Sequence, residues 1–449
     1  MSMGMRELSG EKVNYEGGIG RFELLKGAVA WRWHSPSGKP KFSFHLCGLA
    51  SLREALALSR NTMSILESIT RTEDYDAVID ITPSLPAGRA VGIRHFCAMD
   101  PGREDGSTGK RRFMVSAFYP GVLDRDAPRA RLVDLLYPRV DDALELLARE
   151  SGLGETDKGF AFEHLKTLAL RAQRGLALQG SAARPVLIHY PGGQSHRMSN
   201  AAVCEALASR GFVVLALDAP RDAPAVVFPD GCMVTPPAPD DENHIWPRIA
   251  DVRFLLDQLE EMSAAFFDGC LDPGRVGMFG HSRGGYLSNI CAVEDGRIRA
   301  AVNMDGFLWG IWTQHGTGLN EFSPEFVQRA RSLATPILRL KSDPGSEEKA
   351  QLRFEEESCD FGGDFILVAL HGWEHRDFAT TPWLSGAAAD FAGNVRHPVA
   401  PAARVELLTG LLADFFGTYL MGLRTQMAML DEGDVGMDVF FRCDMPAGP

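Results

Sequence analysis

The chain predicts an α/β architecture, with a mostly parallel central sheet flanked by helices on both faces. Three observations carry this expectation. From Pro185 onward, short apolar runs return at helix-length intervals, the spacing of parallel strands joined by crossover helices. Those runs are close to continuously apolar rather than alternating, as strands covered on both faces are. Finally, Val276 to Phe279 leads through Gly280-His281-Ser282-Arg283-Gly284 into a helical stretch, a strand-turn-helix context that leaves a serine projecting at the top of a sheet.

Taken in order, residues 1 to about 80 form an N-terminal extension in which no chemistry declares itself. Phe22 to Trp33 and Lys41 to Leu46 read as strands, and Leu49 to Ile69 carries helical spacing. This extension is expected to pack on the main body or on a second copy of the chain, giving a homo-oligomer. The main domain spans 81–425. It opens with two strands, Ala90 to Met99 and Arg112 to Tyr119, joined by the polar loop Asp100 to Lys110. Leu132 to Arg149 and Phe160 to Arg174 read as helices inserted at about 130–178, with the role either of a lid over a site or of plain packing. The alternating part follows, with strands at Val186 to Tyr190, Phe212 to Leu217, Arg275 to Phe279, Arg299 to Met304, Pro336 to Leu340 and Phe365 to Leu370. Helices are expected at Ala201 to Arg210, Arg248 to Met262 and Ala402 to Leu423, and 426–449 reads as a C-terminal tail.

With 449 residues, 45% hydrophobic and 23% charged, the composition is that of a globular protein with a large core. The net charge of -13 and the lack of a basic stripe exclude a nucleic acid as the main partner. The one basic knot, Lys110-Arg111-Arg112, reads as a solvated hairpin tip. Eight scattered cysteines show neither a C-x-x-C pair nor metal-ligand spacing, so no metal is expected and the thiols are read as reduced. Residues 1–13 contain no apolar run behind their charges, and no uninterrupted apolar segment of spanning length occurs; a cytoplasmic protein is expected.

The candidate chemistry starts from Ser282. A serine hydroxyl is a weak nucleophile near neutral pH and needs a histidine to accept its proton, held in turn by a carboxylate. In a sheet of this kind the partners follow the serine as acid and then histidine, on loops at the carboxyl ends of later strands. Asp305, just past the strand Arg299 to Met304, and His375, in the loop after Phe365 to Leu370, meet that demand. Asp343, after the following strand, is an alternative acid. His371 reads as support for its strand and His281 as buried structure. Oxyanion donors are expected from the backbone N–H of Arg283 and from the loop Tyr190-Pro191-Gly192-Gly193-Gln194, whose glycines let the backbone approach a substrate. Phe307, Leu308, Trp309, Trp312, Trp373 and Trp383 are candidates for an apolar pocket, or ordinary core.

VGMFGHSRGG, the acid in AAVNMDGFLWG, the histidine in GWEHRDF and the strand pair PAGRAVGIRHF and RRFMVSAFYP together resemble the platelet-activating factor acetylhydrolase-like lipases and esterases of the α/β-hydrolase fold. The resemblance covers about Pro83 to Leu423. It implies Ser282 as nucleophile, Asp305 as acid, His375 as base, oxyanion N–H groups from Gly193 and Arg283, and hydrolysis of a small-molecule ester with an apolar part, without a cofactor. Arg283 departs from the aromatic or aliphatic residue common there, and GHSRGG also resembles the elbow of the chlorophyllases. A guanidinium beside the nucleophile either meets an acidic group on the substrate or pairs with a protein carboxylate beneath the elbow. The same residues would serve an acyl transferase or ring-forming cyclase, and the fold would also serve a binding protein without turnover.

Overall fold

The computed structural model divides into two compact units, Met1–Ala77 and Val78–Pro449. It describes the strands within 12–46 by their backbone, and then residues 89–105, 109–151, 165–236, 245–308, 322–343, 349, 353, 361–379, 401–423 and 437–442.

The first unit contains an antiparallel four-stranded sheet in chain order: β1 (Lys12–Tyr15), β2 (Gly18–Leu25), β3 (Ala28–His34) and β4 (Pro40–Leu46). Leu25 pairs with Ala28, so the run Phe22 to Trp33, expected as one strand, is two strands of a hairpin. The helix expected over Leu49 to Ile69 lies outside the described residues.

The second unit opens with the long hairpin of β5 (Ala90–Glu104) and β6 (Lys110–Gly121). β7 (Arg129–Arg131), a 3-10 turn (Leu132–Leu136), α1 (Val140–Ser151) and β8 (Ala169–Arg174) follow. Then come β9 (Arg184–Tyr190), α2 (Ala201–Ser209), β10 (Val213–Leu217) and the small ribbon of β11 (Val226–Val227) and β12 (Met233–Val234). The chain continues through α3 (Ile245–Asp257), α4 (Leu259–Phe266), β13 (Leu271–His281), α5 (Arg283–Glu294) and β14 (Ile298–Met304). It closes with α6 (Pro324–Arg331), β15 (Ile337–Lys341), β16 (Phe365–Leu370), α7 (Pro401–Met421) and β17 (Met437–Arg442).

One eleven-stranded sheet runs in the order β17-β16-β15-β14-β13-β9-β10-β6-β5-β8-β7. From β10 through β16 every neighbouring pair is parallel, so all of those carboxyl ends share one edge. Alternation along each strand sorts the core into two layers. On β9, Leu187 joins Phe279, Val302 and Val214 on the face covered by α2 and α7, where Leu408, Leu412, Phe415 and Phe416 are fully buried. Val186, Ile188 and Tyr190 turn the other way and pack with α3, α4 and α5 through Leu255, Leu259, Leu287 and Ile290. This two-sided burial is why the strands read as continuous apolar runs.

Several elements differ from expectation. Phe160 to Arg174 is not one helix, because its last residues form β8. Leu168, Leu170 and Ala172 are buried at every second position, a strand period. Within the region expected as inserted helices, Leu132, Leu135, Leu136 and Leu144 belong to the main core, which holds that stretch to the body. The helix expected over Arg248 to Met262 starts earlier and is divided at Gln258 into α3 and α4. The stretch read as a tail supplies β17, an antiparallel strand along the edge of β16. Lys110-Arg111-Arg112 does lie at the hairpin, yet Arg111 is buried between Asp105 and Asp251, and Arg112 sits over the Phe228 ring and pairs with Asp230. Lys110 is solvated and pairs with the exposed Glu104, whereas Arg111 is not solvated, because the hairpin overhangs the end of β10 and meets α3.

Candidate active site

β13 ends at His281 and α5 begins at Arg283, so Ser282 alone makes the turn between them, with φ 55° and ψ −118°. A side chain rarely tolerates that region, and the surroundings must hold it there. They do so by close backbone approach. A methyl group at Gly284 would lie 2.0 Å from the Tyr190 carbonyl oxygen, and one at Gly280 would lie 2.5 Å from the same atom. The Ser282 N–H donates to the Met304 carbonyl at 2.8 Å, which ties the turn to the end of β14.

Three of the sequence-predicted residues come together around this turn. His375 Nε2 lies 3.0 Å from Ser282 Oγ, and His375 Nδ1 lies 2.7 Å from Asp305 Oδ2. A carboxylate only accepts, so Nδ1 carries a proton toward Asp305, and Nε2 is left to accept the hydroxyl proton of Ser282. The imidazole is half exposed, within reach of a ligand, whereas Asp305 is buried.

Asp305 is held from its other side as well. Its Oδ1 accepts from the N–H and hydroxyl of Ser342, both at 3.1 Å, and forms an ion pair with Lys341. Burial by itself raises the carboxyl, but His375, Lys341 and the Ser342 N–H outweigh it and hold Asp305 well below the usual carboxylate range. Burial pushes Lys341 down despite its partner. The alternative acid, Asp343, turns elsewhere. Its Oδ2 accepts the Gly372 N–H at 2.9 Å, its Oδ1 lies 3.6 Å from His371 Nδ1, and its N–H donates to the Trp373 carbonyl at 2.9 Å, so it braces the loop after β16.

The loop bearing His375 is anchored at both ends. His281 Nε2 donates to the His375 carbonyl at 2.7 Å, and the two rings are 4.6 Å apart. Burial, reinforced by His375, pushes His281 down to about 4, so it stays neutral and keeps the single proton that bond needs. On the other end, Asp377 accepts the Glu374 N–H at 2.6 Å and forms a buried ion pair with Arg404 of α7.

The loop after β9 lies against the serine. A methyl group at Gly192 would sit 3.4 Å from Ser282 Cβ, and one at Gly193 would sit 2.9 Å from Arg283 Cζ. Arg283 opens α5, where its backbone N–H has no acceptor within the helix. Its guanidinium pairs with Asp222, the protein carboxylate that was one of two expectations for this residue, and Asp222 Oδ2 also receives Arg248 at 3.1 Å. Of the aromatic candidates, Trp373 is core, 5.2 Å from Phe378, while Phe307 is exposed; Trp309, Trp312 and Trp383 lie outside the described residues.

Sequence reasoning does not single out Lys341, Asp222 or Arg404. Lys341 has a signal once strand order is known, because Met304 pairs with Leu340 and the next residues, Asp305 and Lys341, stand side by side. Among the described residues no group of three histidine, cysteine or acidic side chains converges to hold a metal, and no helix is long and apolar enough to cross a membrane.

No family model matches the chain. It is 30% identical over 234 residues to a protein of Arthroderma benhamiae described as a probable 1-alkyl-2-acetylglycerophosphocholine esterase. That match covers 49% of this chain and 57% of the relative, so the chain spans somewhat over half the length of the curated protein it matches. A ferulic acid esterase from Streptomyces cinnamoneus superposes with a TM-score of 0.60 at 24% identity, over 80% of this chain and 98% of that one. The likeness to a solved esterase, together with the parallel sheet and its flanking helices, gives this chain the α/β-hydrolase fold.

Proposed function

We propose that the chain is a serine hydrolase of carboxylic esters. The observation that carries the reading is the pair of contacts on His375, 3.0 Å to Ser282 Oγ and 2.7 Å to Asp305 Oδ2, at a strained turn. Both named relatives are esterases, which favours ester hydrolysis over other acyl chemistry on the same residues.

In this reading Ser282 Oγ attacks the ester carbonyl while His375 Nε2 takes its proton. Asp305, ionised throughout, stabilises the imidazolium that forms. The backbone N–H groups of Arg283 and Gly193 receive the oxyanion, where losing one such donor in comparable enzymes lowers the rate by about 10²-fold to 10³-fold. His375 then protonates the departing alcohol, and a water activated by the same imidazole releases the acid. The five free cysteines among the described residues fit the proposed cytoplasmic setting.

The test is labelling with a fluorophosphonate, alongside turnover of p-nitrophenyl esters of increasing chain length. Labelling that disappears in Ser282→Ala, with turnover in the wild type, is expected. A folded wild type that neither labels nor turns over any ester would favour a binding protein on a hydrolase scaffold.

A further inference from the structure

Leu217 at the end of β10 pairs with Val115, so the first residues of β6 and the last of β5 rise past the carboxyl edge of the sheet. There they meet the loop after β10 and the first turn of α3. The three elements line a cavity of about 610 Å³ whose wall carries four arginines, Arg103, Arg111, Arg221 and Arg248, two carboxylates, Glu104 and Asp105, and Trp246. Trp246 is 55% exposed, a large aromatic side chain left at the cavity without cover.

The charges around this cavity do not balance evenly. Arg103, Arg111 and Arg221 are matched by Asp100, Asp105 and Asp251, three against three, and Glu104 is matched by Lys110. Arg248 and Arg283, by contrast, share the single carboxylate of Asp222. Arg248 is only 6% exposed, its Nη2 is on Asp222, and its Nη1 is buried without a hydrogen-bond partner. Tyr190, the last residue of β9, brings a buried hydroxyl, also without a partner, into the field of Asp251, Arg248, Arg111 and Asp222. A buried guanidinium with a spare donor and half a counter-ion is costly unless an anion completes it. Asp222 links this point directly to Arg283, next to Ser282.

We propose that the cavity at Arg248 is an acid subsite, which receives a free carboxylate on the substrate while the ester carbonyl lies at Ser282. The inference rests on the serine-hydrolase reading and sharpens its substrate class to esters bearing a negative charge. The guanidinium of Arg248 supplies the charge-assisted bonds, Arg221 closes the cavity from the loop after β10, and Trp246 covers the apolar stem that joins carboxylate to ester. Arg283 acts through Asp222, which it holds in place.

The experiment compares p-nitrophenyl butyrate with mono-p-nitrophenyl glutarate on wild type, Arg248→Leu and Arg221→Leu, with free glutarate as inhibitor and thermal midpoints as a fold check. The wild type is expected to favour the anionic ester in kcat/KM and to be inhibited competitively by glutarate. Arg248→Leu should lose about 10-fold to 100-fold more on the anionic ester than on the neutral one, the scale of a charge-assisted hydrogen bond. Arg221→Leu, at a partly exposed position that is less exposed to misfolding, should show the same bias at about 3-fold to 10-fold. Turnover of both esters without an anionic preference, or equal losses on the two, would overturn the subsite and leave the hydrolase standing. Absence of turnover and of fluorophosphonate labelling in the folded wild type would instead remove the hydrolase reading itself.

Discussion

Asp305 and Asp222 are both buried and each is shared by two basic side chains, but the bases differ in kind. Asp305 lies between His375 and Lys341, and Asp222 between Arg283 and Arg248. An imidazole gains or loses its proton within the working pH range, so a carboxylate beside it becomes part of a proton relay. A guanidinium stays charged, so a carboxylate beside it fixes position and leaves charge for a ligand. In the proposed reading, the same arrangement therefore serves chemistry at Asp305 and binding at Asp222.

The largest expected effect tests the relay. Asp305→Asn keeps the shape of the carboxylate but can present an amide donor to His375 Nδ1, and in related relays such a change lowers kcat by about 10⁴-fold. Asp222→Asn should leave far more of the neutral-ester rate. If initial-rate kinetics gave both variants the same loss, the division of labour between the two carboxylates would collapse.

A third buried carboxylate sharpens the comparison because burial, and not a paired base, sets its charge. Glu205 on α2 accepts the Ala172 N–H at 2.5 Å and makes no ion pair among the described residues. Burial dominates and raises it from 4.5 to about 7. The folded state therefore holds a proton that the unfolded chain has already released between those values. The stabilisation is complete below about pH 4.5 and is lost as pH rises toward 7. Glu205→Gln should flatten that slope and stabilise the protein at pH 8 by about 3 kcal/mol in urea titrations, by conversion of the shift. An unchanged pH slope would show that burial does not govern this carboxyl.

Next in size is the stability of the arginine side. Removing the shared charge in Asp222→Asn leaves Arg248 buried beside Arg283, and should cost about 2 kcal/mol. Arg283 is partly exposed, which reduces the full buried-pair penalty. Urea unfolding measures this directly, and a neutral result would mean that solvent already screens the pair.

The smallest effect concerns Lys341. Its ammonium draws on the charge of Asp305, so Lys341→Met should stabilise the imidazolium form of the relay. The acid limb of the kcat/KM profile is then expected to move to higher pH. A profile that does not move would separate Lys341 from the relay and leave it a purely structural partner.

The sequence by itself determined the features that neighbours in the chain decide. The strands from β9 to β16 are legible because burial on both faces writes an apolar run, and the elbow because Gly280 and Gly284 pass too close to one carbonyl to carry a side chain. Ser282, Asp305 and His375 could be proposed from chain order alone, since each lies just past a readable strand. Phe160 to Arg174 misled because Leu168, Leu170 and Ala172 fit a helical face almost as well as an alternating strand until the neighbouring β5 and β7 are present to pair with them. Only the tertiary structure decided which charges meet. Asp222 is 61 residues from Arg283, Arg404 is 27 from Asp377, and Arg111 is 140 from Asp251. Local pattern reports whether a side chain leaves water, and the partner that makes burial of a charge tolerable is chosen by strand order and by where the hairpin of β5 and β6 comes to rest.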